Sequence, residues 1–130
     1  MKIGELSKQS DCTIQTIRHY EKEGLLPLAQ RSEGNFRLYD KHALQRLLFI
    51  KHCRHLDISL VEIKELIQLK VNPSWQCDDV NQIFNHHLQQ VDLKIKELNQ
   101  LKLQLQDLRQ SCTDKQTVEN CGIIQKLSKA

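Results

Sequence analysis

The sequence predicts a mostly α-helical chain of 130 residues: a small helical domain with a two-stranded ribbon, one long coiled-coil helix, and a brief C-terminal segment. Three observations carry this. From Val80 the pattern steps by alternating fours and threes through Phe84, His87, Val91, Lys94, Leu98, Leu101 and Leu105 to Leu108. Seven of those nine are apolar and no Gly or Pro interrupts them, which is a coiled-coil seam sustained over about four heptads. Two shorter amphipathic patterns lie between Ile3 and Lys22, and between Leu25 and Tyr39 the helical period gives way to turn residues and alternation. The expected boundaries are a domain over 1–70, a loop over 71–79, the long helix over 80–110 and a last segment over 111–130.

The short elements follow from their ends. Ile3 to Ser10 reads as a helix with Ile3, Leu6 and Ser7 facing inward, and Asp11-Cys12 as a turn. Thr13 is suited to cap a second helix running to Lys22, with Ile14 and Ile17 inward. Gly24 sits where a glycine ends such a helix. Two short helices joined by a tight turn are the helix-turn-helix pattern. Pro27, Gly34 and Asn35 are turn residues, and Phe36-Arg37-Leu38-Tyr39 alternates as a strand does. A ribbon tipped by Arg31, Asn35 and Arg37 is a wing able to follow a phosphate backbone. Asp40 can cap a helix to about Cys53, with Leu44, Leu47, Leu48 and Ile50 on its apolar face. Ser59 and Glu62 form a capping box that opens a helix with Ile63, Leu66 and Ile67 inward, stopping before Pro73. Asp78 and Asp79 suit the positive N-terminus of the long helix. Cys121 to Leu127 makes one or two more helical turns.

At ~1.5 Å per residue the long helix is roughly 45 Å, as wide as the compact core that ~130 residues can build, or wider. It is therefore expected to pair with a second copy through Phe84, Val91, Leu98, Leu101, Leu105 and Leu108. Cys77 precedes it and Cys112 follows it. In an antiparallel homodimer Cys77 of one protomer meets Cys112 of the other, with Cys121 near by in sequence. Three thiols could then converge at each end of the rod.

Composition narrows the function. No apolar run approaches the ~18 residues that span a bilayer, and the opening Met-Lys-Ile-Gly-Glu-Leu has no signal-peptide core. The expectation is a cytoplasmic protein with no membrane partner. Five cysteines in a reducing compartment point to metal or redox chemistry rather than a disulfide framework. Residues 1–60 hold ten Lys/Arg against seven Asp/Glu, whereas residues 61–130 hold nine of each. The whole formal excess of +3 thus sits in the first half, as an anionic partner there would favour. No acid/base pair in a pocket-forming fold and no phosphate loop is recognisable, so an enzyme is not expected.

Residues 1–130 resemble the MerR family of metal-sensing transcription regulators. The resemblance runs through Ile3-Gly4-Glu5-Leu6, Thr16-Ile17-Arg18-His19-Tyr20-Glu21, Gly24-Leu25-Leu26-Pro27, Arg31 and Asn35-Phe36-Arg37-Leu38-Tyr39. His19 departs from it, since Tyr or Phe is more usual there. The second half looks like the cadmium/lead-responsive branch, on His52-Cys53-Arg54-His55-Leu56-Asp57, Cys77-Asp78-Asp79-Val80-Asn81, His87, Leu108-Arg109 with Cys112, and Cys121-Gly122-Ile123. The resemblance implies a winged helix-turn-helix DNA-binding domain, an antiparallel coiled-coil dimerisation helix and a short metal-binding C-terminal segment. It also implies a homodimer on double-stranded promoter DNA that, with metal bound, untwists an over-long spacer so that RNA polymerase can align. DNA contacts are then expected from Thr13, Gln15, Thr16, Arg18, His19, Tyr20, Arg31, Asn35, Arg37 and Tyr39.

Thiolates select soft or borderline ions. Cys77, Cys112 and Cys121 suit Cd(II), Pb(II) or Hg(II), and their spacing does not choose among these. The surrounding strings favour Cd(II) or Pb(II). A zinc sensor would be expected to add His or Cys ligands around Cys112, and no His follows His87. His87 lies on the seam, where it is either a packed core residue or a further ligand or hydrogen-bonding partner of one. Cys12 and Cys53 read as small buried hydrophobes. Alternatives are an Hg(II)- or Zn(II)-responsive regulator, a thiol redox sensor, and a metal-transfer protein. The last explains the thiols but not the helix-turn-helix.

Overall fold

A computed structural model describes residues 1–27, 29–72, 74 and 76–130. The expected helix stop at Pro73 and the surroundings of Trp75 lie outside them. The chain divides into two compact units, Met1–Asn81 and Gln82–Ala130.

The first unit contains α1 (Ile3–Ser10), α2 (Ile14–Lys22), the ribbon β1 (Gln30–Arg31) and β2 (Arg37–Leu38), α3 (Lys41–His55) and α4 (Leu60–Val71). Their ends are set by local chemistry. Ser10 Oγ donates to the Leu6 carbonyl at 2.7 Å and accepts the Cys12 N–H at 3.3 Å, and Asp11 turns the chain at φ 55°. Thr13 Oγ1 accepts the Thr16 N–H at 3.1 Å. Gly24, at φ 77°, lets the Leu25 N–H return to the Tyr20 carbonyl at 2.9 Å and closes α2. Asp40 caps α3 through the Ala43 N–H, and Ser59 and Glu62 complete their reciprocal box at the start of α4. The ribbon pairs Gln30 with Leu38 and Arg31 with Arg37, antiparallel, and Asn35 takes the left-handed conformation (φ 64°) in its turn.

α1 packs on α2 and α3. The core joins Leu6, Ile17, Leu25, Leu47, Ile50, Ile58 and Ile63, all fully buried. Three cations of α3 reach backbone carbonyls at or just beyond the ends of neighbouring helices: Arg46 to Leu25 at 3.2 Å, Lys51 to Ser10 at 3.1 Å and Arg54 to Ile58 at 2.7 Å. They satisfy backbone groups that turns leave without helical partners.

Two expectations are corrected here, for Ile14 and for the buried face of α3. Ile14 is 37% exposed. It stands in the first turn of α2, and a helical side chain leans toward its own N-terminus, past the end of the packed face. On α3 the buried face is Ala43, Leu47, Ile50 and Cys53, while Leu44 and Leu48 are only half-buried. In the ribbon the inward side is Arg37 and Tyr39, and apolar Phe36 and Leu38 are exposed. Lys2 covers the Phe36 ring at 4.4 Å instead.

α5 (Asp78–Gln110) begins in the first unit and supplies most of the second, which ends in a 3-10 turn (Val118–Asn120) and α6 (Gly122–Leu127). α5 starts two residues earlier than the seam suggests. The Cys77 carbonyl accepts the Asn81 N–H at 2.8 Å, which makes Asp78 and Asp79 its first turn. No residue of α5 is buried within the chain. Along the seam Leu98 is 63% exposed, and Phe84, Val91, Leu101 and Leu105 are exposed as well. No helix among the described residues is long and apolar enough to cross a membrane.

Leu47 is fully buried in the first unit. Leu47→Ala should destabilise that unit by about 2–5 kcal/mol, the usual range for a buried Leu truncation. Urea unfolding followed by circular dichroism measures it. A cost near zero would remove Leu47 from the core.

Candidate functional site

The first candidate surface is built by α1, α2 and the ribbon. A cleft of about 860 Å³ is lined by Lys2, Arg18, Arg31, Asn35, Phe36 and Arg37 among others, with Glu5 the one acid on its rim. Four cations around one concavity suit a polyanion. Gln15, Arg18 and His19 project from the exposed side of α2, while Ile17 on the opposite side holds the helix in the core. Thr13 and Thr16 spend their side chains on each other, Thr13 Oγ1 donating to Thr16 Oγ1 at 2.8 Å. Tyr20 is half-buried beside the His19 ring, 6.0 Å between centroids. Burial pushes its phenol up from the ordinary range, against the pull of Arg54.

Arg37 and Tyr39 do not face outward as free contacts. Both meet the carboxylate of Glu21, whose side chain is 8% exposed. Arg37 Nη1 donates to Glu21 Oε2 at 3.1 Å, and the Tyr39 hydroxyl donates to Glu21 Oε1. Tyr39 is buried, and burial followed by this hydrogen bond raises its phenol above the usual range. The carboxylate thus joins the last turn of α2 to the wing. Sequence reading passed over Glu21 because an acid on a basic surface looks out of place. The signal was its position between two motifs that each carry a partner for it. Asn35 serves the wing through its backbone, its carbonyl accepting Arg31 Nη1 at 3.1 Å.

The second candidate site lies at the end of the chain. After α5 the segment doubles back, setting Gly122 against Ser111, and brings Cys112 and Cys121, both half-buried, near enough that each thiol shifts the other's titration; the Cys112 thiol donates to the Thr113 carbonyl at 3.4 Å. The Ile124 N–H, then Cys112, stabilise the Cys121 thiolate and hold that thiol below the ordinary range. Cys112 is held above it, by the neighbouring Cys121 thiol and then by partial desolvation. Arg109 braces the turn, donating to the Cys112 carbonyl at 3.0 Å and to Asp114 at 2.8 Å. Two adjacent sulfurs, one readily ionised, can chelate a soft cation.

Cys77 is exposed in the first unit, at the start of α5. No cluster of three or more His, Cys, Asp or Glu forms within one chain among the described residues. His87 is half-buried, and His86 Nε2 lies 3.0 Å from Gln90 Nε2. Cys53 is buried, which pushes its thiol up, as suits a packing residue. Cys12 is half-buried.

Comparison with known proteins supplies a frame for both surfaces. The profile described as MerR HTH family regulatory protein matches residues 1–70, and that described as MerR, DNA binding, matches residues 44–108. The crystal structure of the transcription regulator PbrR691 from Ralstonia metallidurans CH34 in complex with lead(II) is 52% identical, with a TM-score of 0.89 over 98% of this chain and 99% of that one. An HTH-type transcriptional regulator ZntR homolog of Haemophilus influenzae is 46% identical over 110 residues, 85% of this chain and 82% of its own length. A mercuric resistance operon regulatory protein of Bacillus cereus is 31% identical over 128 residues, 98% of this chain and 97% of its own.

The opposite shifts of the paired thiols set an order of reaction. The thiolate is the nucleophile, so near neutral pH iodoacetamide should alkylate Cys121 before Cys112. Peptide mass spectrometry during a time course reads the order. Equal or reversed rates would contradict the opposite shifts of the two thiols.

Proposed function

Because the chain belongs to the MerR family of HTH transcription regulators, in its metal-responsive branch, we propose that it is a cytoplasmic homodimer that binds double-stranded promoter DNA and activates heavy-metal resistance genes on taking up Cd(II) or Pb(II). The observation that carries the metal reading is the return of the chain that sets Gly122 against Ser111 and so brings Cys112 beside Cys121. Soft sulfur ligands favour soft ions. Cys121 is the only Cys or His after Cys112, a ligand set leaner than a tetrahedral zinc site prefers. That favours Cd(II) or Pb(II) over Zn(II), and the kinship with the lead(II)-complexed regulator supports it. Hg(II) fits three thiolates equally well and belongs in the same metal panel.

The third ligand is Cys77 of the other protomer. α5 runs 33 residues without a break, a rise of about 50 Å, and Cys77 and Cys112 stand at its opposite ends. An antiparallel pairing along the exposed seam would cover Phe84, Val91, Leu98, Leu101, Leu105 and Leu108 and bring each Cys77 to the far chain's thiol pair. His87 is an additional ligand or a hydrogen-bonding neighbour in this arrangement. Binding displaces thiol protons, so affinity falls with acid. On the DNA side, Gln15, Arg18 and His19 of α2 are the groove-facing side chains, with Thr13, Thr16 and Tyr20 flanking them. Arg31 and Asn35 carry the wing to the backbone, and Arg37 and Tyr39 act by holding it there. Metal-driven distortion of the DNA then aligns the promoter for RNA polymerase.

Mixed dimers test the shared site. One chain carries Cys77→Ser, the other Cys112→Ser with Cys121→Ser. Sites made across the interface leave this heterodimer one intact site. Sites made within a chain leave it none. A sulfur-to-cadmium charge-transfer band in the wild type but not in the heterodimer would overturn the shared-site reading.

Arg18 tests the DNA surface. Arg18→Ala should weaken operator binding and make the salt slope shallower by about one unit, as expected for one lost phosphate contact, with Cd(II) affinity unchanged. Titrations of operator binding across a salt series measure both. An unchanged slope and affinity would take Arg18 out of the footprint.

A further inference from the structure

We propose that Gly122 is the positioning residue that assembles the Cys112–Cys121 pair, because only a residue without a side chain lets the returning segment seat on the Ser111 carbonyl. The proposal rests on Cys112 and Cys121 acting as metal ligands.

A Cβ at Gly122 would overlap the Ser111 carbonyl oxygen, 3.0 Å from its carbon and 3.4 Å from Ser111 Cβ. The obstacle is backbone, not the tip of a flexible side chain. It cannot swing aside, because the Ser111 N–H and Oγ both donate to the Leu108 carbonyl, at 3.1 and 2.6 Å. Residues 111 and 122 are the neighbours of 112 and 121 in sequence. Their backbone contact closes the loop just outside the two cysteines.

Conformation does not explain a glycine here. Gly24 is the one glycine among the described residues with positive φ. Gly122 is the first residue of α6, and its neighbour Cys121 caps that helix. At such a position Ala is the better helix former. Helix propensity therefore predicts that Gly122→Ala strengthens the segment, and the steric account predicts that it separates the thiols. The opposite signs make the position informative.

The test uses the full-length chain and dibromobimane, which bridges two thiols only when both reach it. The bridged species is the cross-linked pair of tryptic peptides carrying Cys112 and Cys121. Iodoacetamide rates of the single thiols serve for normalisation. Gly122→Ala should slow bridging by about tenfold or more, the scale of loss when reacting groups are displaced by roughly 1 Å. Gly122→Val should slow it further. Val118→Ala, at a side chain 77% exposed in the same segment, should bridge at the wild-type rate. Gly122→Ala should keep its helix content and operator binding, and loss of either would contradict a local steric effect. Bridging of Gly122→Ala at the wild-type rate overturns the proposal. A parallel Cd(II) titration separates it from the reading beneath it. Wild type that bridges normally but shows no sulfur-to-cadmium band overturns the metal site and leaves the role of Gly122 standing. Equal Cd(II) affinity in wild type and Gly122→Ala overturns the role of Gly122.

Discussion

The carboxylate of Glu21 is the contact on which the first unit's outer surface depends. A carboxylate so little exposed is costly to leave unpaired, although solvent reaches Arg37 and screens the pair. Glu21 is satisfied twice, by Arg37 and by Tyr39. These partners come from the wing, and Glu21 comes from the last turn of α2. A ribbon with only two residues in each strand has little stability of its own. Its orientation is therefore set from outside the ribbon, by this carboxylate together with the paired Met1–Tyr39 backbone bonds and Lys2 over Phe36. Arg18 on α2 and Arg31 on the wing are presented as one surface because of it. Net charge gives that surface its attraction for a polyanion, and the paired acid gives it its shape.

The second unit has the opposite problem. Its apolar residues are not used within the chain. Phe84, Val91, Leu98, Leu101 and Leu105 stay exposed along the seam, and Leu88 and Ile95 widen the stripe beside them. Burying apolar surface is worth roughly 25 cal/mol per Å², and most of a helix's stability in proteins comes from packing its apolar face. A helix of 33 residues with nothing buried is thus only part of a fold. In the proposed dimer the missing surface is a second copy of the same seam.

Much of this was legible in the sequence because it is governed by local rules. Thr13, Asp40, Ser59 with Glu62, and Gly24 each mark a helix end through one short-range bond, and each does so in the structure. Element identity followed from them, and membership of the family from motifs that combine them. The misses share a different cause. Ile14 looked inward because periodicity carries no information about where a neighbouring helix ends. Arg37 and Tyr39 were expected among the outward contacts because alternation names two faces without saying which one meets Glu21. Nothing in the local pattern marks Arg46, Lys51 and Arg54, although each bonds a backbone carbonyl outside α3. Gly122 could be read only as part of a motif string. Its function is a contact with Ser111, and nothing in the chain's local pattern announces a backbone approach between segments eleven residues apart.

In the proposed site, placing two ligands on one chain and the third on another would also divide the labour of a sensor. A ligand shifts an equilibrium between two states only by the difference in its affinity for them. Cys112 and Cys121 are already together within a single chain. Metal bound to that pair alone gains the same contacts in every arrangement of the dimer, so the pair supplies affinity without bias. A sulfur whose distance from the pair changes with the arrangement is what makes binding selective for one state. In the proposed site that sulfur is Cys77, exposed and fixed to the first turn of α5 through its own carbonyl. It stands next in sequence to the helix that carries the seam, so drawing it onto the metal pulls on the helix start directly. The capture of the ion and the response to it are then separate tasks, held by residues at opposite ends of α5.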